Sequence, residues 1–510
     1  MTTVARLPSR SPVAPESEPL PPLSRTWVFG IAAAFVLLEL ALSARYGFHR
    51  DELYFLACAR HLAWGYVDQP PFVPAAGWVA THLFGSSLTA IRVFPALAGG
   101  ATVVITAFMA RELRGGRKAQ AIAALAAATS PQVVGAFHLL SPTPFDMFFW
   151  AAICWVFLRL LRTGNQQLWL LIGLLAGVGL MNKLNVAFLL FGLGAGVVLA
   201  RRGRVLLDPW VAAGAGVALV IFLPYVVWNA QHDWASLSML HSLHGENSTV
   251  GATLQFIPAQ FFVVGPVLIV LWLAGLRRAF ASPGTKPIGI AYLVLLALFT
   301  LTGAKVYYLA GIYFVLFAFG GVWAEARLDA RQPARGLRGW VTLMLVGLVT
   351  GLPFTLPVLP ESAMPKTSSF GTADKDLSAT VGWPQFVHQV ADVATSLPLR
   401  QRTHLVVFTG DYGAAGAVDQ YGSAYGLPHA ISGHNSYWWW GPTGARSGAT
   451  TIAVNLSRSY LLTIFSEVRS AGTVATPNGV WSEERGDPIW ICSGQKISWA
   501  TAWPAAKHYG

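Results

Sequence analysis

The chain alternates between long runs of apolar residues and short polar segments that hold most of its charges. A helix needs roughly 20 mostly apolar residues to cross the hydrocarbon core of a bilayer. Eleven runs approach this length, so the pattern predicts about eleven transmembrane helices. Their approximate bounds are 27–44, 93–110, 119–137, 146–162, 168–182, 184–200, 210–229, 257–276, 287–303, 306–326 and 340–358.

Composition excludes several other classes of protein. Of the 510 residues, 54% are apolar and 11% are charged, whereas about a quarter of the residues of a soluble domain are charged. Low charge with high hydrophobicity excludes a disordered chain. Three cysteines are too few for a disulfide-stapled scaffold. The sequence therefore predicts a polytopic membrane protein.

The basic residues lie in short clusters between the apolar runs, and this distribution predicts an orientation. With the N-terminus inside, nineteen Lys and Arg residues fall on the cytoplasmic side and six on the opposite side before residue 359. Cytoplasmic loops of membrane proteins carry such an excess, so the net charge of +12 reflects topology rather than a nucleic-acid partner. We expect a multi-pass protein of the cytoplasmic membrane with a disordered cytoplasmic tail at 1–26.

The last part of the chain, residues 359–510, differs from the rest because it contains turn dipeptides and short β-rich runs. About 150 residues are enough for a separate core. The predicted elements are strands at 404–409 and 451–455 and helices near 384–396 and 459–470. The sequence thus predicts an all-α membrane domain at 27–358, with a long first outer loop at 45–92, followed by a small extracytoplasmic α/β domain. Within that domain we expect Gly410–Gly416 to form a Gly-rich turn.

Few charged residues lie on the predicted outer side, so those present there are candidates for function. The acidic ones are Asp51, Glu52, Asp68 and Asp146, and the isolated cations at span ends are Lys183 and Lys305. Ionisable groups at membrane depth are costly and usually functional. Several acids that face two lone lysines indicate a site for an anionic ligand and a proton acceptor.

Structural roles for the same residues remain open at this point. Asp51 and Glu52 would also suit the N-terminus of a helix, where the helix dipole favours negative charge. Lys183 and Lys305 would also suit an interfacial position with the ammonium group extended toward water.

Five short motifs resemble glycosyltransferase family 39, the group of protein O-mannosyltransferases and aminoarabinose transferases within the GT-C superfamily. In chain order they are Asp51-Glu52-Leu53-Tyr54, Gly65-Tyr66-Val67-Asp68-Gln69-Pro70-Pro71, Pro144-Phe145-Asp146, Leu180-Met181-Asn182-Lys183 and Ala304-Lys305-Val306-Tyr307-Tyr308-Leu309-Ala310. The resemblance covers roughly residues 40–330. It departs from the family at Gln69, where relatives often carry His or Lys.

The resemblance implies a GT-C fold and a glycosyltransferase that takes a sugar from a polyprenyl-phosphate donor. The acceptor would be a protein, lipid or glycan on the outer face of the membrane. Direct displacement at the anomeric carbon would invert its configuration. The transferred sugar, a hexose or a pentose, is not specified by the motifs.

Roles follow from the resemblance for ten residues. Asp51 would be the catalytic base and Glu52 would support it, while Asp68 and Asp146 would tune the base or bind sugar hydroxyls. The implied substrate-binding residues are Arg50, Tyr54, Gln69, Lys183, Lys305 and Tyr308. No cofactor is required by this chemistry. Clustered carboxylates also suit Mg²⁺ or Mn²⁺, so metal dependence stays open.

Two other functions are compatible with many spans. A secondary transporter also has about a dozen spans and buried charges, but transporters commonly show internal repeats and midplane sites. Here no matched halves are evident in the sequence, and the candidate charges gather at one surface. A sensor or scaffold would leave the acidic set without a use. We expect the outer domain of an enzyme of this kind to shape access of the acceptor.

Overall fold

The computed structural model describes residues 19–247, 250–330, 333–367 and 372–510. Most of the predicted tail at 1–26 therefore lies outside the described residues. From residue 25 to 355 the described chain is helical. The helices are α1 (Arg25–Leu42), α2 (Arg50–Arg60), α3 (Phe72–Phe84), α4 (Leu88–Glu112), α5 (Arg117–Thr129), α6 (Pro131–Phe137), α7 (Pro142–Thr163), α8 (Leu168–Leu180), α9 (Asn185–Leu199), α10 (Pro209–Gln231), α11 (Ala235–Asn247), α12 (Val250–Val264), α13 (Ile269–Phe280), α14 (Lys286–Leu301), α15 (Tyr313–Asp329) and α16 (Pro333–Thr355).

Six of these helices are long and apolar enough to cross a membrane. They are α1, α4, α7, α10, α16 and α15 together with the 3₁₀ turn Val306–Ile312 that precedes it. Two bent pairs, α5 with α6 and α12 with α13, raise the number to eight if each pair forms one span. The other three predicted spans correspond to the shorter apolar helices α8, α9 and α14. A polytopic helical protein is confirmed, whereas eleven spans stay a prediction.

The two bent pairs meet at their bends. Pro131 turns the chain by 62° after Ser130, because a residue before proline is disfavoured in helical conformation. The Ser130 hydroxyl donates to the carbonyls of Val263 and Val264 at 3.2 and 3.1 Å. Gly265, with φ of +95°, packs directly on Pro131. The two Ser130 hydrogen bonds satisfy carbonyl groups at the 90° bend between α12 and α13. Backbone carbonyls in apolar surroundings need such partners.

Residues from 372 to 510 form an α/β unit. Its helices are α17 (Thr372–Ser378), α18 (Trp383–Ser396), α19 (Leu399–Arg402), α20 (Tyr412–Tyr421), α21 (Ser436–Trp440), α22 (Arg458–Ile464) and α23 (Trp499–Ala506). The strands are β1 (Val406–Thr409), β2 (Ala430–Ser432), β3 (Thr451–Val454), β4 (Phe465–Thr473) and β5 (Pro488–Gln495). The sheet order is β2-β1-β3-β5-β4, with β1 parallel to both neighbours and β5 antiparallel to both of its own.

Two predictions for this unit are wrong. The helix predicted at 459–470 ends at Ile464, and Phe465–Thr473 is a strand that pairs with β5. Phe465 and Val468 are both buried, and their spacing of three positions imitates a helical face. The segment Gly410–Gly416 is not a turn, because Asp411 caps α20 by accepting from the Ala414 N–H at 2.8 Å. Helix α20 connects the parallel strands β1 and β2.

Candidate active site

Helix α2 begins with a hydrogen-bonded cap that separates its first two carboxylates. The Nδ1 atom of His49 accepts from the Asp51 N–H at 3.1 Å, and a Glu52 oxygen accepts from the His49 N–H at 2.9 Å. Such a cap satisfies backbone donors that have no partner inside the helix. Adjacent helical positions do not share a face. Asp51 and Glu52 therefore have different surroundings.

Asp51 lies against a phenol, a guanidinium and an imidazole. The Tyr412 hydroxyl donates to its Oδ1 at 2.9 Å, and Arg50 Nε is 3.8 Å from the same oxygen. Burial opposes ionisation of the carboxyl, but nearby His49 and Arg50 hold the pKa of Asp51 below its usual range. Tyr412 and Lys305 act in the same direction. The side chain is 37% exposed, so Asp51 is an ionised carboxylate that a ligand can reach.

Lys183 follows α8 and lies over two aromatic rings. Its ammonium is 4.9 Å from the centroid of Tyr307 and 4.8 Å from that of Tyr308. The same ammonium is 3.4 Å from the Thr143 hydroxyl at the start of α7. Asp146 is close enough to act on Lys183 electrostatically. An ammonium group has three protons to donate. The tyrosine rings and the Thr143 hydroxyl do not use all three, so Lys183 can still donate to an anion.

Asp146 is buried one helical turn into α7. One of its oxygens accepts from the Asn185 amide at 2.7 Å, and the same amide nitrogen is 3.2 Å from the Tyr308 carbonyl. The other Asp146 oxygen is buried and makes no hydrogen bond of normal geometry among the described residues, although the Trp150 side chain is close enough to act on this carboxyl. These contacts tie α7, α9 and the Val306–Ile312 turn together below Lys183.

Lys305 lies within electrostatic range of both Asp51 and Lys183. It is exposed, at the residue before the Val306–Ile312 turn, and its charge acts on both Asp51 and Lys183. Tyr307 is near enough to Asp51 and Asp146 for both carboxyls to affect it electrostatically. The structure thus brings the predicted residues Asp51, Arg50, Lys183, Lys305, Asp146 and Tyr308 into one region.

Tyr54 and Asp68 form a second polar contact beside this region. The Tyr54 hydroxyl donates to Asp68 at 2.7 Å and lies 2.8 Å from the Ser436 hydroxyl of the outer domain. Burial raises the pKa of Asp68 to about 7, although the Tyr54 hydrogen bond opposes the shift. The Tyr54 ring packs on Tyr412 with centroids 4.8 Å apart. Tyr54 therefore links the second contact to the phenol that touches Asp51.

Glu52 lies outside the cluster, in contrast to the supporting role predicted for it. It is fully buried and accepts from Arg92 Nε at 3.0 Å, from Arg92 Nη2 at 2.6 Å and from the Leu140 N–H at 2.9 Å. Arg92 also donates to the carbonyls of Ser43 and Gly47. The carboxylate is fully engaged in joining α2 to α4, so we assign Glu52 a structural role.

Gln69 is also buried, with 2% of its surface exposed. Neither of its amide atoms has a hydrogen-bond partner within the described parts of the chain. Its backbone carbonyl accepts from the Tyr66 N–H at 2.9 Å, which closes a turn before α3. Within the described structure, no side-chain hydrogen bond therefore connects Gln69 to the Asp51 cluster.

Two residues near Asp51 were missed by sequence reasoning. Tyr412 lies in the Gly-rich segment 410–416, which the sequence pattern predicts to be a turn of a separate domain. Asp376 lies in α17 and is close enough to Asp51, His49 and Lys305 to interact with them electrostatically. No motif marks Asp376, since its only signal is a carboxylate in a polar stretch.

No metal centre made of side chains alone is found in the described parts of the chain. There, no group of three or more His, Cys, Asp or Glu side chains is placed to hold a metal ion. Mg²⁺ is often bound by one or two carboxylates together with substrate phosphates, so this finding leaves metal dependence open.

Comparison with known proteins supports the motif assignment. The family model described as dolichyl-phosphate-mannose-protein mannosyltransferase matches residues 68–228. Two proteins of Rhizobium johnstonii are similar to this chain: lipopolysaccharide core galacturonosyltransferase RgtB, 30% identical over 43% of this chain and 45% of its own length, and lipid A galacturonosyltransferase RgtD, 29% identical over 44% and 48%. The chain thus spans about half the length of these relatives.

Solved structures share the fold over nearly the whole chain. ArnT from Cupriavidus metallidurans bound to undecaprenyl phosphate aligns with a TM-score of 0.64 at 13% identity, covering 91% of this chain and 98% of that one. The apo form aligns with a TM-score of 0.61 at 14% identity, covering 92% and 97%. The sequence matches confirm the resemblance to glycosyltransferase family 39. The structural matches show that the chain shares the fold of ArnT.

Proposed function

We propose that this protein is a membrane glycosyltransferase that moves a sugar from a polyprenyl-phosphate donor to an acceptor on the outer face of the cytoplasmic membrane. The observation that carries the proposal is the position of Asp51. It is a partly exposed, ionised carboxylate within electrostatic range of the exposed Lys305, and Lys305 is within the same range of Lys183. This arrangement supplies a proton acceptor and two cations in one region.

In the proposed reaction, the acceptor hydroxyl oxygen attacks the anomeric carbon of the donor sugar. The bond between that carbon and the phosphate oxygen breaks, and polyprenyl phosphate leaves as an anion. Asp51 takes the proton of the attacking hydroxyl, as a positioned general base does. Attack on the face opposite the leaving group inverts the anomeric configuration. Charge and atoms balance without a covalent enzyme intermediate.

Lys183 and Lys305 suit the donor phosphate and the leaving group. Charge-assisted hydrogen bonds to phosphate oxygens are stronger than neutral ones. Developing negative charge in a transition state is best stabilised by donors already fixed in place. The two tyrosine rings and Thr143 hold Lys183 in place in this way. Lys305 is the more exposed of the two, and its charge acts on both Asp51 and Lys183.

The buried contact of Asp146 with Asn185 suits the hydroxyl groups of the sugar. One Asp146 oxygen lies near the Trp150 side chain without a hydrogen bond of normal geometry in the described structure, and a buried acceptor that is poorly bonded is costly. A sugar hydroxyl would remove this cost on binding. Asp68, which is bonded to Tyr54, would tune the surroundings of the base rather than act as the base.

The candidate donor and acceptor are chosen only from the proteins to which this chain is similar. RgtB and RgtD are named for transfer of galacturonic acid to the lipopolysaccharide core and to lipid A, and ArnT is solved with undecaprenyl phosphate. We therefore propose a bacterial polyprenyl phosphate as carrier and an envelope glycolipid as the first acceptor to test. Galacturonic acid is the first sugar to test, before neutral hexoses and pentoses.

The proposed function can be tested in cells that lack the protein. Mass spectrometry of polyprenyl-phosphate sugars and of envelope glycans should show one unused donor and one missing sugar, and the intact gene should restore both. The control is complementation with the Asp392→Asn variant, which should restore both as the intact gene does. Asp392 is an exposed carboxylate in the outer domain, paired only with His388 at 3.0 Å in the described structure. Unchanged donors and glycans in the deleted strain would contradict a transferase function.

A further inference from the structure

We propose that Tyr412, which belongs to the outer domain, is a positioning residue for the base Asp51. The catalytic site would then be built by both parts of the chain, and the outer domain would do more than shape acceptor access. This inference rests on the proposed function. It is carried by three observations: a direct hydrogen bond, a ring held on several sides, and a glycine face that docks helix α20 on helix α2.

The hydrogen bond is direct and well formed. Tyr412 is the first residue of α20, and its hydroxyl is 2.9 Å from Asp51 Oδ1. This distance is typical of an O–H donor bonded to a carboxylate. The carboxylate group of an aspartate turns about its Cβ–Cγ bond unless hydrogen-bond partners fix it. The Tyr412 hydroxyl selects one orientation of Asp51 and leaves Oδ2 for another partner.

The Tyr412 ring is held in place by its neighbours. Its centroid is 4.8 Å from that of Tyr54 and 4.7 Å from that of His434. The Arg50 guanidinium lies over the ring at 5.7 Å, and the backbone N–H of Tyr412 donates to His434 Nδ1 at 3.3 Å. A phenol fixed at this many points presents its hydroxyl at one place. The hydrogen bond to Asp51 therefore costs little further ordering.

Two glycines allow α20 to approach α2 closely. A Cβ atom at Gly416 would lie 2.8 Å from the Leu53 carbonyl carbon, and one at Gly413 would collide with the Arg50 side chain. Larger residues at either position would push α20 away from Asp51. Outside this contact, Arg60 of α2 donates to the Gln420 amide oxygen at 2.7 Å, and Arg50 forms an ion pair with Glu483. The outer domain is thus held in register against the base.

Removal of the hydroxyl has a defined effect on the base. The Tyr412 hydrogen bond lowers the pKa of Asp51, because a donated bond stabilises the ionised carboxylate. His49, Arg50 and Lys305 lower it as well. The carboxyls of Asp68 and Asp376 and the phenol of Tyr307 also face this region. Without the hydroxyl the pKa of Asp51 rises, so the acidic limb of the pH profile moves to higher pH.

The test is the Tyr412→Phe variant, which keeps the ring and its packing. We expect the acidic limb of kcat/KM to move up by about one to two pH units, since a hydrogen bond to a charged group contributes about 1.5 to 3 kcal/mol and one pKa unit equals about 1.4 kcal/mol. At a pH below that limb kcat/KM should fall by roughly 10- to 100-fold, with the KM for the donor nearly unchanged. The control is Tyr437→Phe, whose hydroxyl donates to Asp419 at 2.8 Å in the same domain.

A double variant separates positioning from a general loss of structure. If Tyr412 acts through Asp51, Tyr412→Phe should have little further effect in an Asp51→Asn background, because the two effects are coupled. An unchanged pH profile in an active Tyr412→Phe enzyme would overturn the inference and leave the proposed function standing. Absence of any transfer by the wild-type protein would overturn the proposed function and this role with it.

Discussion

Two adjacent carboxylates of helix α2 lie in opposite environments. Asp51 keeps about a third of its side chain exposed, accepts from a phenol of the outer domain and lies within electrostatic range of the exposed Lys305. Glu52 is fully buried and accepts hydrogen bonds from Arg92 and from the Leu140 backbone. We therefore propose that the same chemical group serves a reaction in one position and the fold in the next. Exposure and the remaining hydrogen-bonding capacity decide which role each residue has.

Among the variants that test this contrast, we expect Glu52→Gln to have the largest effect. The variant leaves Arg92 buried without its anionic partner, and breaking a buried ion pair costs about 3–5 kcal/mol. We expect a large fall in the melting temperature in detergent or in lipid nanodiscs. Protein that stays folded should keep near wild-type kcat, because Glu52 does not touch the reacting groups.

The double variant Glu52→Gln with Arg92→Met provides the control for that prediction. Removal of both charges takes away the uncompensated cation, so part of the lost stability should return. A folded Glu52→Gln protein with normal stability but no transfer would contradict the comparison and return Glu52 to the catalytic site.

The lysines give the next largest effect. Lys183→Ala and Lys305→Ala should each raise the KM for the lipid-linked donor by about 10- to 100-fold, because a charge-assisted contact contributes about 1.5–3 kcal/mol. The KM for the acceptor should change far less. Steady-state kinetics with each substrate varied in turn measures both quantities.

The matched control for the lysines is Lys366→Ala, which removes an exposed ammonium outside the candidate site. Donor kinetics that are unchanged in both test variants would place Lys183 and Lys305 among the lysines that only extend toward water at the interface.

The smallest effect concerns Asp68, whose pKa is raised to about 7 by burial. An unfolded Asp titrates near about 4, so the folded protein binds this proton more tightly. The resulting stability is fully present below about pH 4 and is lost as the pH rises through about 7. Asp68→Asn stays neutral, so its melting temperature relative to wild type should rise between about pH 4 and 7. A difference that does not vary with pH would contradict the shifted pKa of Asp68.

Local sequence patterns predict the apolar helices and the cap of α2, because these features depend on residues that are close together in the chain. Each predicted apolar run corresponds to a helix or a bent pair, because burial in lipid or in a helix bundle demands continuous apolar stretches. The cap of α2 was among the structural roles considered for Asp51 and Glu52, and Glu52 fulfils it. The lone positions of Lys183 and Lys305 marked them before any fold was known.

Features that depend on distant contacts were not accessible in this way. Tyr412 and Asp51 are separated by 361 positions, and no spacing rule connects them. The strand at Phe465–Thr473 is fixed by pairing with β5 rather than by its own periodicity. Arg92, the partner that makes Glu52 structural, lies 40 positions away in α4. In each case tertiary packing decides between two roles that the local sequence allows.

The proposed role of Asp51 is tested most directly by the rate of sugar transfer in Asp51→Asn, measured on purified protein with the lipid-linked donor and the acceptor. The variant keeps the size of the side chain and removes the base, so the rate should fall by about 10²–10⁴-fold. Donor binding in the same preparation should stay close to wild type, because the phosphate contacts are made by other residues. Transfer by Asp51→Asn at a near wild-type rate would contradict the assignment of Asp51 as the base.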